Sequence, residues 1–151
     1  MQKNLLLALL LVVSSTAFAQ SKFPEHQLSI NGFRNPSIGV EYQQRQFSVH
    51  GGYYPTNFTS GETTEFLRAG LTYWFLPVDK KEMPSSFYAG ASYLRGFTRD
   101  YKDKNAFAVE TGFRWYAWKG LNLRLGVIAL TAKGEDLKIN PTPSISYSLK
   151  F

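Results

Sequence analysis

Two groups of residues hold the side chains with chemical potential in this sequence. Ser48-Val49-His50 sets a hydroxyl and an imidazole two positions apart. On an extended strand both would lie on one side, a spacing that a nucleophile and its general base can share. The second group is ionic: Glu41 and Glu110 against Arg68, Arg114, Arg124 and Lys150. Neither group has metal-ligand spacing, the chain has no cysteine, and no phosphate-binding glycine loop is present. No metal and no cofactor is therefore expected.

What these residues do depends on the elements that carry them, and those elements repeat with period two. From Ser144 to Phe151 the odd positions are Ile145, Tyr147, Leu149 and Phe151, and the even ones are Ser144, Ser146, Ser148 and Lys150. Successive side chains of a strand point to opposite faces, so this segment has one apolar and one polar side. The same division runs through Leu121 to Ala129, where Ile128 and Leu130 blur the polar side near the end, and through Phe107 to Trp118, Phe87 to Leu94, Leu67 to Phe75 and Phe47 to Tyr54, with two shorter segments at 38–43 and 27–31. Eight strands are predicted. No strand centre carries a charge on its apolar face, whereas the opposite faces hold Glu41, His50, Arg68, Glu110, Arg114, Arg124 and Lys150.

The connections sharpen the picture. Gln43 to Gln46 and Trp118-Lys119-Gly120 read as tight turns, the second as a three-residue hairpin with Gly120 left-handed. Leu76 to Ser86 is a longer exception at the same end. Thr56 to Thr64, Thr98 to Asn105 and Lys133 to Pro141 read as polar loops at the other end, with Arg34-Asn35-Pro36-Ser37 the shortest of that set. Arg95 falls on the apolar face, so it belongs at a rim or beside a bulge.

The N-terminus is different. Met1-Gln2-Lys3 precedes an uncharged run from Asn4 to Ala19 that closes on Ala17-Phe18-Ala19, the three parts of a secretory signal with cleavage before Gln20. Its apolar segment is shorter than the roughly 20 residues a spanning helix needs. Residues 1–19 are thus expected to be removed and residues 20–151 to form one domain. An exported chain without cysteine relies on packing and backbone pairing rather than disulfides.

Twelve Phe, nine Tyr and three Trp in 151 residues suit pleated surfaces and favour an all-β fold. The net charge of +6 is spread along the chain, which argues against a nucleic-acid surface. Alternation alone does not say which face is inside, because a soluble periplasmic ligand-binding barrel alternates too. Two features place the apolar face outside. Its Phe, Tyr and Trp side chains are too bulky for the lumen of an eight-stranded barrel. Its aromatics also gather at one end, at Tyr42, Phe47, Tyr73, Phe75, Phe87, Trp115 and Phe151, as in an interfacial girdle.

The C-terminal run Ile145-Ser146-Tyr147-Ser148-Leu149-Lys150-Phe151 resembles the signature by which outer-membrane barrels are recognised for insertion. The mature chain as a whole resembles the small eight-stranded bacterial outer-membrane family that includes the OmpA transmembrane domain. That resemblance implies an antiparallel up-and-down transmembrane barrel, integral to the outer membrane of a Gram-negative cell envelope and monomeric. Its implied partners are outer-membrane lipid, lipopolysaccharide and, during insertion, the barrel-assembly machinery. Glu41, Glu110, Arg68, Arg114, Arg124, Lys150 and His50 would then form a salt-bridged lumen, and Ile145, Tyr147, Leu149 and Phe151 the insertion signal.

The expected role is non-enzymatic, in envelope integrity or surface interaction. The alternatives are a narrow gated channel and a lipid-modifying enzyme similar to the lipid A deacylases. The deacylase family carries His before Ser on its strand, the reverse of Ser48 and His50, and this pair is expected to face the lumen. The mixed-charge segments 98–104 and 133–138 would form a solvated outer rim.

Overall fold

A computed structural model describes residues 23–151; the expected signal segment lies outside the described residues. The strands are β1 (Gln27–Asn31), β2 (Ile38–Gln44), β3 (Phe47–Thr59), β4 (Glu62–Pro77), β5 (Ser86–Gly96), β6 (Asn105–Trp118), β7 (Leu121–Ala132), β8 (Lys138–Pro141) and β9 (Ser144–Lys150). All pairings are antiparallel, each strand lies beside its chain neighbour except β8 and β9, which lie end to end, and β9 returns to β1 and closes the sheet into a ring.

Strands β8 and β9 occupy one position in that ring. Val127 faces Pro141 and Leu123 faces Ile145 in a single register along β7, broken only at Thr142-Pro143. Thr142 N–H still donates to the Gly126 carbonyl at 2.8 Å. The ring therefore has eight positions. Its stagger follows from the register: Leu28, Tyr42, Val49, Leu71, Ala91, Val109, Ala129 and Ile139 are successive partners, yet Leu28 also pairs Leu149. One circuit thus advances ten residues along the final strand, from Leu149 to Ile139. A stagger of this size tilts the strands by roughly 40° and leaves an interior that side chains can fill.

Every residue of that circuit points outward and is apolar. Ile30 is 63% exposed, Leu71 63% and Leu125 67%, while Arg68, Arg114 and Arg124 are 1%, 0% and 3% exposed. The predicted assignment of faces is the one the fold adopts.

The loops depart from expectation. Residues 56–59 and 62–64 continue β3 and β4, so that hairpin turns at Ser60-Gly61, with Gly61 at φ +80°. Lys138–Pro141 is strand β8, and a short 3-10 turn at Arg99–Tyr101 fills much of the β5–β6 connection. Polar composition concealed this pairing because the strands here rise above the apolar belt, where alternation between apolar and polar fades. At the β6–β7 turn the left-handed residue is Lys119, at φ +44°, with a bulge beside Trp118; Gly120 is not the left-handed position. Gly120 is needed for proximity instead, since a Cβ there would lie 2.2 Å from the Ser148 carbonyl oxygen.

The long β4–β5 connection is held by Asp79, whose carboxylate accepts from the backbone N–H groups of Lys81 and Ser85, each at 3.2 Å. Partial burial pushes this carboxyl up, but the hydrogen bonds from Ser85 and Lys81 outweigh it and hold it below the usual carboxylate range. Arg95 stands at the end of β5 and pairs with Asp103 at 3.3 Å and Asn105 at 2.8 Å, so it is a rim residue, and the register from Phe87 to Arg95 is unbroken by any bulge.

Gly112 and Gly126 face each other across β6 and β7, and the Tyr88 hydroxyl fills the space that two side chains would take. A Cβ at Gly126 would lie 2.4 Å from that hydroxyl oxygen and from the Thr111 carbonyl. Gly126→Val should therefore lower the urea midpoint of the folded barrel by an amount equivalent to about 1–3 kcal/mol, the range for overpacking, measured by tryptophan fluorescence in detergent.

Candidate functional site

The interior is stratified along the barrel axis. At the end near the chain termini the inward positions are polar: Gln27, Ser29, Gln43, Asn122, Ser146 and Ser148. Ser148 is the hub there, its hydroxyl lying 2.7 Å from Ser29 Oγ and receiving Asn122 Nδ2 at 2.9 Å and the Tyr116 hydroxyl at 3.2 Å.

The ionic layer comes next. Arg68, from β4, reaches Glu110 of β6 at 2.6 Å and donates through Nε to Ser92 Oγ at 3.0 Å and through Nη1 to the Pro36 carbonyl. Arg124, from β7, pairs with Glu41 of β2 across the lumen. The other Glu41 oxygen accepts from Ser48 Oγ at 2.5 Å, and Ser48 Oγ accepts from Trp74 Nε1 at 2.9 Å. Charges shut away from water must be matched in this manner, because an isolated buried ion costs several kcal/mol.

Arg114 is matched differently. Its guanidinium lies 3.6 Å from the Trp74 ring centre and 4.9 Å from that of Tyr116, and Nη1 donates to Gln43 Oε1 at 2.9 Å. A desolvated cation over an indole face is stabilised by about 2 kcal/mol. Arg124 also approaches the Trp74 ring, at 4.9 Å, so Trp74 joins two of the three interior arginines.

Six of the seven residues predicted for the lumen lie there: Glu41, His50, Arg68, Glu110, Arg114 and Arg124. Lys150 does not. Its side chain is 43% exposed and pairs at 2.5 Å with Glu82 of the β4–β5 connection. As the last residue of β9 it pairs with Gln27 of β1 but has no partner on the β7 side, so its side chain is free to turn out to Glu82 at the end of the barrel. His50 lies opposite Glu41 in the β2–β3 register, but neither ring nitrogen has a hydrogen-bond partner among the described residues. Ser48 spends its hydroxyl on Glu41 rather than on His50, so the two are not joined as nucleophile and base.

The aromatic residues predicted as a girdle all point outward near the termini end. Phe47 and Tyr73 are 5.1 Å apart between ring centres, Tyr73 and Phe75 5.9 Å, and Phe75 and Phe87 6.2 Å. Trp115 and Phe151 are exposed on the same face. His26 was missed: it stacks at 6.1 Å on Tyr42 and 5.9 Å on Phe151 and links strands that the other rings leave apart. Ile145, Tyr147, Leu149 and Phe151 are all outward and exposed.

Sequence reasoning also missed the far end of the lumen. Tyr54, Phe66, Leu94, Tyr101, Ala106, Ala108, Ile128, Leu130 and Ala132 form an apolar cap above the ionic layer. The signal was present in the apolar residues Ile128 and Leu130 on the nominally polar face, since inward positions of several strands change character at the same end.

Among the described residues no group of metal-binding side chains occurs. Comparison of the chain with protein-family models, with curated proteins and with solved structures returns no match.

Removing Glu110 alone, as Glu110→Ala, leaves Arg68 buried without its counter-charge and should destabilise the barrel by about 3–5 kcal/mol. The joint replacement Arg68→Met/Glu110→Leu should recover most of that loss. Urea titration of both variants refolded in detergent checks the pair.

Proposed function

We propose that this protein is an integral outer-membrane β-barrel without enzymatic activity, acting in envelope integrity or surface interaction. The observation that carries the reading is the inversion of polarity. Large apolar side chains cover the outside of a closed ring, while three arginines and two glutamates are enclosed within it. Water is a poor solvent for such an exterior, and hydrocarbon is a good one. Closure suits the same solvent, because a ring leaves few backbone groups unpaired.

The ends of the barrel support the reading further. Tyr53 and Tyr93 point outward at the end opposite the first girdle, and their hydroxyls reach Glu65 at 2.6 Å and Asn105 at 2.7 Å. Rings with an apolar body and a polar tip suit the two surfaces of a bilayer. Mixed charges follow above them, with Arg99 paired to Glu62 at 3.2 Å and Lys104 to Glu135. Such a collar suits contact with lipopolysaccharide. The stratified lumen is a plug: Trp74, Arg68, Arg114, Tyr54, Tyr88 and Tyr116 are the bulkiest fully buried side chains, and all point inward. A structural plug accounts for the ion pairs better than a gated channel does, and the engagement of Ser48 with Glu41 favours it over a lipid-modifying enzyme.

Two experiments test this. The protein should fractionate with outer membranes, require detergent for extraction and migrate differently on gels when unboiled; recovery in the soluble periplasmic fraction would overturn the reading. Leu71→Arg, on the outward belt, should cost about 2–4 kcal/mol in lipid vesicles, whereas on a water-facing surface it would be almost neutral.

A further inference from the structure

The wall of the barrel is incomplete on one side. β1 ends at Asn31 and β2 begins at Ile38, whereas β3 continues to Thr59 and the β8–β9 line begins at Lys138. Tyr54 to Thr59 therefore have a strand partner only on the β4 side, and Lys138 to Pro141 only on the β7 side. Between these two edges lies a notch whose floor is the Gly32–Ser37 loop. The edges are joined where Asn140 Nδ2 donates to Thr56 Oγ1 at 3.2 Å and to the Asn57 carbonyl at 3.0 Å.

Three further features define the notch. Four of the chain's seven prolines border it: Pro36 in the floor, Pro55 on β3, and Pro141 and Pro143 on the opposite edge. Proline lacks the N–H that a ladder requires, so these edges are poor templates for an added strand. The outward residues around the opening are apolar and exposed, namely Phe33, Ile38, Tyr53 and Ile139. Finally, the floor carries Arg34, half-buried, with its guanidinium over the Phe33 ring at 5.6 Å and no ion pair among the described residues.

We propose that this notch binds a long-chain anionic amphiphile from the surrounding bilayer, the chain lying along the apolar border and the anionic head on Arg34. The inference rests on the membrane reading. An unpaired cation and two open strand edges at the upper border of the apolar belt, where hydrocarbon gives way to charged headgroups, suit a ligand that carries both a chain and a charge. An extended peptide would cover them by backbone pairing, which the prolines discourage. A lipid tail needs no backbone donors, and its head supplies the missing negative charge. The floor is also a latch: the Asn35 side chain turns inward, donating to the Tyr88 hydroxyl at 2.6 Å and to Thr142 Oγ1 at 3.1 Å. Releasing it opens the notch inward toward Tyr88 and Thr142.

The test uses residues 20–151 refolded in detergent, with cis-parinaric acid as the probe and energy transfer from tryptophan as the readout. The chain has no cysteine, so Thr56→Cys/Asn140→Cys introduces one pair whose oxidation pins the edges together. The wild type and the reduced pair should bind, and the oxidised pair should bind about tenfold more weakly, with recovery on reduction. A control pair on the intact wall, Val109→Cys/Ala129→Cys, should bind alike in both states. Arg34→Gln should weaken binding of the acid but not of parinaryl alcohol, and Asn35→Ala should strengthen both. A barrel that shows the unboiled gel shift yet fails to bind the probe, or binds it equally when the edges are pinned, overturns the notch proposal alone. A wild-type protein that is soluble without detergent and shows no gel shift overturns the membrane reading and this inference with it.

Discussion

The ion pairs Arg68–Glu110 and Arg124–Glu41 are the interactions on which the interior depends. Each joins strands that are not neighbours in the ring, so each is a strut across the lumen rather than a rung along the wall. Their geometry follows from the stagger, which fixes a bore narrow enough for an arginine to reach past its neighbouring strand to a carboxylate two or three positions round the ring. A buried pair of this kind contributes little net stability compared with apolar packing of the same volume. Its consequence is specificity: a strand slipped by one residue would carry its charge to the outside and strand its partner within.

Trp74 ties the ionic layer to the rest of the lumen. It donates to Ser48, which holds Glu41, and its ring lies beside the guanidinium groups of Arg114 and Arg124. One large side chain thereby helps to orient both an anion and two cations. The small residues complement it. Gly112 and Gly126 admit Tyr88, and Gly70 leaves room for His50, whose Nε2 would lie 2.8 Å from a Cβ at that position. Bulk and glycine alternate inside the wall because an eight-stranded bore has no volume to spare.

The wall and its contents are also linked at the notch, where the β1–β2 pairing stops short of the neighbouring strands. The floor loop of the notch sends Asn35 to Tyr88 on the far side and offers the Pro36 carbonyl to Arg68. Displacing that loop would therefore disturb the hydrogen bonding of an arginine in the ionic layer. The outer face of this loop and the order of the lumen are coupled by these two contacts.

Much of this was legible in the sequence, and for a physical reason. A strand's period of two assigns faces without knowledge of its neighbours, so the outward Leu28, Val49, Leu71 and Val109 and the inward Glu41, Arg68, Glu110, Arg114 and Arg124 follow from order alone. Where strands leave the apolar belt that rule weakens, which is why 56–59, 62–64 and 138–141 read as loop and why Lys150 was assigned to the lumen. Partnership was out of reach: which glutamate meets which arginine depends on a ten-residue stagger that only the closed ring fixes. So does the notch, because an unpaired edge is a property of two segments that lie far apart in the chain. Sequence order determined the sides of the wall, and tertiary closure decided what meets across it and where it is left open.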